Sequence, residues 1–145
     1  MATALDVLAA KDCPLYTVDA TMSVLQATQL MNKHKIGGLV VIEDGDLHGI
    51  ITERDVLQRV VAERLDPGET LVGDVMTREV ICCEPDTDLD EVSAIMKNRR
   101  IRHLPVCAPG GKVLGLVSIG DVNAHYASNQ AQTIHFLSEY VYGRV

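Results

Sequence analysis

The sequence predicts an α/β fold made of two pseudo-symmetric units, each running β-α-β-β-α, with an extra helix at the C-terminal end. A repeated string is the first reason. Residues 49–56 read Gly-Ile-Ile-Thr-Glu-Arg-Asp-Val, and residues 115–122 read Gly-Leu-Val-Ser-Ile-Gly-Asp-Val, an offset of 66 from Gly49 to Gly115. Upstream, the match continues at an offset of 65. Val24, Ala27, Leu30 and Met31 answer to Leu89, Val92, Ile95 and Met96, and residues 36–41 answer to residues 101–106. The second reason is the change of period within each copy, from helical apolar spacing to short apolar runs bounded by turn residues. Such repeats mark paired structural units, and ligand sites tend to lie where the units meet.

The elements follow in order. Leu15–Val18 reads as a short strand. Ser23 is placed to cap a helix in which Val24, Ala27, Leu30/Met31 and His34 share one face. Gly37-Gly38 are expected to end that helix and admit the strand Leu39–Ile42. Asp44-Gly45 suits the positive φ angles of a tight hairpin turn, with Leu47–Ile51 as the returning strand. Thr52 caps a helix to about Arg64, and Leu65-Asp66-Pro67-Gly68 breaks it. In the second copy, Val72–Met76 resembles the earlier Leu5–Leu8, and Val80–Cys83 reads as a strand. A helix over Leu89–Asn98, a hairpin of His103–Cys107 with Val113–Val117, and a helix from Ser118 complete it. The expected division is residues 1–66, 67–128 and a helical extension 129–145, in which Ile134, Leu137 and Val141 share one face.

Composition narrows the function. The chain has 145 residues, 47% of them hydrophobic but only 3% aromatic, so the core must be aliphatic. A net charge of −7 argues against nucleic acid or an anionic membrane as the main partner. No basic-then-apolar leader or membrane-length apolar run is visible, and a cytoplasmic location is expected. Cys13, Cys82, Cys83 and Cys107 contain no CxxC pair and read as small hydrophobes in a reducing compartment; in a strand, Cys82 and Cys83 would point to opposite faces. His34, His48, His125 and His135 lack metal-ligand spacing and read as surface residues. No nucleophile–base pair, paired catalytic acids or metal box is present, so no catalytic residue, metal ligand or required cofactor is assigned and an enzyme is not expected.

The repeated Gly-h-h-[ST]-x-x-Asp-h string, where h is aliphatic, carries the remaining chemistry. Thr52 and Ser118 stand at strand-to-helix junctions with Asp55 and Asp121 three residues later. That spacing resembles a capping box, which satisfies orphan amides at a helix start. It also fits a ligand grip, because a carboxylate can accept from both hydroxyls of a ribose while the helix start faces a phosphate. Gly49 and Gly115 leave room for a flat base or for close backbone packing.

Together with "RIRHLPV" and "VGDVMTREVICCEPDTDLDEVSAIM", the strings "GIITERDV" and "GLVSIGDV" resemble a tandem cystathionine-β-synthase (CBS) domain pair, or Bateman module, of the stand-alone type. The likeness spans all but the C-terminal residues. It implies two CBS repeats packed sheet to sheet, clefts that bind adenosine nucleotides or related adenosyl ligands, homodimerisation, and regulation of a partner protein without catalysis. On this resemblance Asp55 and Asp121 hold ribose hydroxyls, with Thr52 and Ser118 near ribose or phosphate. Arg54, Arg102 and His103 are set to meet phosphate, Gly37 to line the cleft, and Thr17, Val18 and Ile81 to contact adenine through backbone. Arg102-His103 stand where the first copy has Gly37-Gly38, and Arg54 stands where the second has Gly120, so one strong and one weak or empty site are expected. AMP is the first-choice ligand, ADP or ATP next, with NAD(H) or S-adenosylmethionine admissible. The alternative is a dimeric scaffold that works without nucleotide through its C-terminal extension and an unknown protein partner.

Overall fold

A computed structural model describes residues 2–11 and 13–129. It contains two sheets, one per unit. In the first, β1 (Thr17–Val18) runs parallel to β2 (Gly38–Glu43), which pairs antiparallel with β3 (Asp46–Thr52). In the second, β4 (His103–Cys107) pairs antiparallel with β5 (Val113–Ser118). The strand expected at Val80–Cys83 shrinks to one parallel bridge, Cys83 to Val106. Pro105 explains the loss. Its carbonyl accepts the Cys83 amide at 3.0 Å, so it faces that edge, and a proline has no N–H to lengthen the ladder. A bulge at Val41/Ile42 recurs at Val106/Cys107, so even the irregularity follows the repeat.

Local signals account for most boundaries. Ser23 caps α2 (Val24–His34) in a full capping box with Gln26, and Asp88 caps α5 (Leu89–Arg99). Both helices end on a left-handed residue at equivalent positions, Lys35 (φ 53°) and Arg100 (φ 54°). Gly37-Gly38 therefore do not terminate α2; the chain has already turned at Lys35, and the glycines lead into β2. Asp44 and Gly45 both take positive φ, as the first hairpin requires. Thr52 caps α3 (Glu53–Val56), which continues as a π-helical turn over Leu57–Val61. After Ser118, α6 occupies residues 119–129. The rest of the helix expected over 129–145 lies outside the described residues.

The two cores are cross-laced. Helix α1 (Ala4–Ala10) buries Ala4 and Val7 among Leu89, Val92, Leu104 and Val117 of the second unit. Its counterpart α4 (Val72–Val75) buries Val72 and Val75 among Val24, Leu39 and Ile51 of the first. The backbone repeats the exchange. Ala4 donates to the Thr87 carbonyl (2.9 Å) and Val72 to that of Met22 (2.8 Å). Helices this short are marginal alone, and each buried valine contributes about 1.5–3 kcal/mol, so each lead-in helix is held by the other unit's core.

The recurring glycines serve this packing. A Cβ on Gly49 would stand 2.7 Å from the Thr77 carbonyl oxygen, and one on Gly115 would stand 2.7 Å from Leu8 Cδ2. Gly49 is in close backbone packing, whereas Gly115 faces only a side chain among its nearest neighbours. Cys83 is buried and Cys82 exposed although no full strand forms there; burial, then the neighbouring Cys107, pushes the Cys83 thiol up to about 11. No described helix is long and apolar enough to cross a membrane.

Candidate functional site

A cleft of about 430 Å³ opens between the units. One wall comes from the first unit, through Tyr16, Lys35, Gly37 and Gly38; the other comes from His103, Ser118 and Asp121 of the second. The sequence sets the key carboxylate in place locally. Asp121 Oδ2 accepts from the Ser118 amide at 2.9 Å, while the Asp121 amide donates to Ser118 Oγ at 3.1 Å. This reciprocal cap holds Asp121 at the first turn of α6, at the cleft wall. Lys11, just after α1, donates from Nζ to the same Oδ2 at 2.8 Å and to the Leu116 carbonyl at 2.8 Å. Burial alone would raise the Asp121 pKa. The Lys11 and Ser118 hydrogen bonds outweigh it and hold the carboxyl below the usual range.

The first copy of the motif has the same cap and different surroundings. Asp55 Oδ2 accepts from the Thr52 amide at 2.9 Å, and Oδ1 accepts from the Thr77 hydroxyl at 3.0 Å with Arg59 Nε 3.9 Å away. Asp55 is buried, the only polar or charged residue so placed among those described. Arg59 also donates to the carbonyls of Val75 and Met76, tying α3 to the end of α4. A second hollow, about 540 Å³, is lined by Asn32, Glu53 and Leu57 among others and includes neither aspartate.

The other expected site residues separate. Gly37, His103, Ser118 and Asp121 meet in the first cleft. Thr52 and Asp55 lie together at the β3–α3 junction. Arg54 is exposed and donates to the Arg100 carbonyl at 2.8 Å, and Arg102 is exposed just before β4. Thr17 is exposed and Val18 is in the first core, so the residues that reach the cleft are Leu15 and Tyr16, just before β1. Ile81 packs, half-buried, against the second core. Sequence reasoning missed Lys11, Tyr16 and Lys35. Tyr16 stacks on His34, ring centroids 3.8 Å apart, so His34 belongs to the cleft wall and not to open surface. Tyr16 was one residue from the expected contacts. Lys11 had no signal, because its partner lies 110 residues away.

His103 explains why the copies differ at Gly37-Gly38. Its ring lies so close to Gly38 that a Cβ there would stand 3.1 Å from His103 Cδ2. The glycines of one unit make room for the imidazole of the other. Burial lowers the His103 pKa from its ordinary 6.5; nearby Glu53 opposes this and Lys11 adds to it. A depressed histidine means that the unfolded chain binds the proton first as pH falls. Stability should therefore be full above the unfolded value and fall as pH drops through the range between 6.5 and the lower folded value. Thermal unfolding of wild type and His103→Gln across that range checks this; the variant should lose part of the slope.

Comparison with known proteins agrees with this architecture. The CBS domain family matches residues 6–62 and 72–128. A mitochondrial CBS domain-containing protein of Arabidopsis thaliana, CBSX3, is 37% identical over 88% of this chain and 63% of its own length. The CBS domain-containing protein YhcV of Bacillus subtilis is 33% identical over 79% of this chain and 81% of its own. A solved structure of a putative signal-transduction protein with CBS domains from Burkholderia ambifaria superposes with a TM-score of 0.84. It is 39% identical and covers 89% of this chain and 96% of that one. The CBS domain pair of protein MJ0100, solved with 5-methylthioadenosine and S-adenosyl-L-methionine, reaches a TM-score of 0.79 at 25% identity over 89% and 98% of the two chains. With two matched repeats that cover most of its length and a sheet in each, this chain belongs to the CBS-domain family as a tandem pair.

Proposed function

We propose that the chain is a non-catalytic regulatory module that binds an adenosine-containing ligand in the Asp121 cleft and signals through a change of conformation or assembly. The observation that carries this is the Asp121 carboxylate, capped in place at the start of α6 and lining a cleft shared by both units. A carboxylate so held can accept from two ribose hydroxyls. Tyr16, in the cleft lining, offers a surface for a flat base. The MJ0100 complex with two adenosyl compounds supports the ligand class. AMP is the first candidate, ahead of ADP and ATP, because Lys11 and Lys35 are the cations at the cleft while Arg54 and Arg102 stand outside its lining. Asp55, already engaged by Thr52 and Thr77, favours one working site over two.

Thermal unfolding against AMP, ADP, ATP, NADH, S-adenosylmethionine and GMP tests the reading. At a hundredfold excess over Kd an adenosyl ligand should add about 2.7 kcal/mol. Asp121→Ala should abolish that gain. Equal response to GMP, or an undiminished response in the variant, would sink the assignment.

One observation favours a scaffold as the second reading. Leu57 and Val61, four residues apart on one helical face, are 62% and 61% exposed. A second copy of the chain or a regulated protein would cover such a face. A concentration-dependent dimer whose assembly ignores every nucleotide would favour the scaffold.

A further inference from the structure

We propose that Lys11 is a ligand-displaced latch: it occupies the Asp121 carboxylate until ribose displaces it, and then selects ligands with an anionic 5′ group. The inference rests on the adenosine reading of the site. Asp121 Oδ2 already accepts from the Ser118 amide and from Lys11 Nζ, which uses both lone pairs of that oxygen. A ribose that donates one hydroxyl to each carboxylate oxygen needs a place on Oδ2. The Ser118 amide is part of the helix cap and is fixed by the backbone. The Lys11 ammonium, at the end of a flexible stem, is the donor that can leave.

Displacement changes the charge of the cleft. The Lys11–Asp121 pair is half-buried, with side chains 23% and 21% exposed. While they are paired their charges cancel. When the diol takes Asp121, Lys11 keeps its bond to the Leu116 carbonyl but loses its counterion inside a partly desolvated cleft. Lys35 adds a second positive charge from the facing wall, and His103 is held toward its neutral form. Anything that brings a negative group beside the ribose is then favoured over the bare nucleoside. The latch also ties recognition to the fold, since Lys11 follows α1, the helix packed in the second unit's core.

Calorimetric titration of the full chain with adenosine and AMP, in wild type, Lys11→Met and Lys11→Arg, separates the two roles. Lys11→Met should bind adenosine about two- to fivefold more tightly, as expected when a partly exposed ion pair no longer competes. The same variant should bind AMP about tenfold more weakly, as a charge-assisted contact is lost. Lys11→Arg should keep the wild-type preference for AMP. Parallel changes for both ligands in Lys11→Met, or none, would overturn the latch while leaving the site. Wild type binding neither ligand would overturn the site and the latch together. Salt gives a readout without mutation: rising ionic strength should weaken AMP binding and leave adenosine unchanged or tighter. Parallel salt curves would overturn the latch as well.

Discussion

Gly49→Ala is expected to destabilise the protein by about 3 kcal/mol, whereas the same change at its repeat partner, Gly115→Ala, should cost about 1 kcal/mol. The two glycines hold equivalent positions beside equivalent lead-in helices, and what they face decides the difference. A Cβ on Gly49 meets the Thr77 carbonyl oxygen at 2.7 Å and Met76 Sδ at 2.8 Å. Thr77 cannot retreat easily. It exchanges two backbone hydrogen bonds with Ile50, at 3.0 and 2.8 Å, and its hydroxyl is bound to Asp55. Met76 is itself buried. Relief therefore means opening a backbone pair, which adds about 1 kcal/mol per bond to the overpacking. The nearest atoms to a Cβ on Gly115 belong to the half-buried Leu8 side chain, its methyls at 2.7 and 2.8 Å. A change of rotamer answers that contact. For a domain this size, the Gly49 variant should melt roughly 6–12 °C lower. Equal losses at the two positions would show that Thr77 is less firmly held than its hydrogen bonds imply.

The same contrast shows what the sequence disclosed and what it withheld. The repeat revealed the β-α-β-β-α order, both hairpins and the two capped Asp motifs, because each rests on local chemistry: a Ser or Thr at a helix start, an Asp-Gly turn, an apolar period. Expectations slipped where a non-local partner decided the outcome. The Val80–Cys83 strand shortened because of Pro105, a residue on its neighbour. Gly37-Gly38 resembled a helix stop and instead serve the His103 ring from the other unit. Lys11 was invisible as a cleft residue because nothing in the turn after α1 announces a carboxylate far along the chain. The repeat tells that two junctions share one design, but not that Thr77 faces one aspartate and Lys11 the other.

That last difference yields the second large effect. Asp55→Ala should cost about 3 kcal/mol of stability, the sum of a lost helix cap and lost charge-assisted hydrogen bonds, and should leave the adenosyl-ligand response of the folded protein in place. Asp55 is 6% exposed and holds the Thr52 amide, the Thr77 hydroxyl and, at 3.9 Å, Arg59. Removing its carboxylate leaves the part-buried Thr52 amide and Thr77 hydroxyl without their acceptor, while Arg59, half-exposed, keeps its bonds to the Val75 and Met76 carbonyls. Asp121→Ala removes the equivalent cap from a less deeply buried residue whose other partner, Lys11, keeps its bond to the Leu116 carbonyl. Its stability cost should be nearer 1 kcal/mol, and its ligand response should vanish. Chemical unfolding and ligand titration of both variants give four readings. The opposed pattern, stability lost at Asp55 and binding lost at Asp121, is the one expected if the two copies have divided structure and recognition between them. A folded Asp55→Ala that no longer responds to ligand would instead give Asp55 a ribose of its own. Thr77 and Arg59 would then have to yield to it, as Lys11 is expected to yield at Asp121.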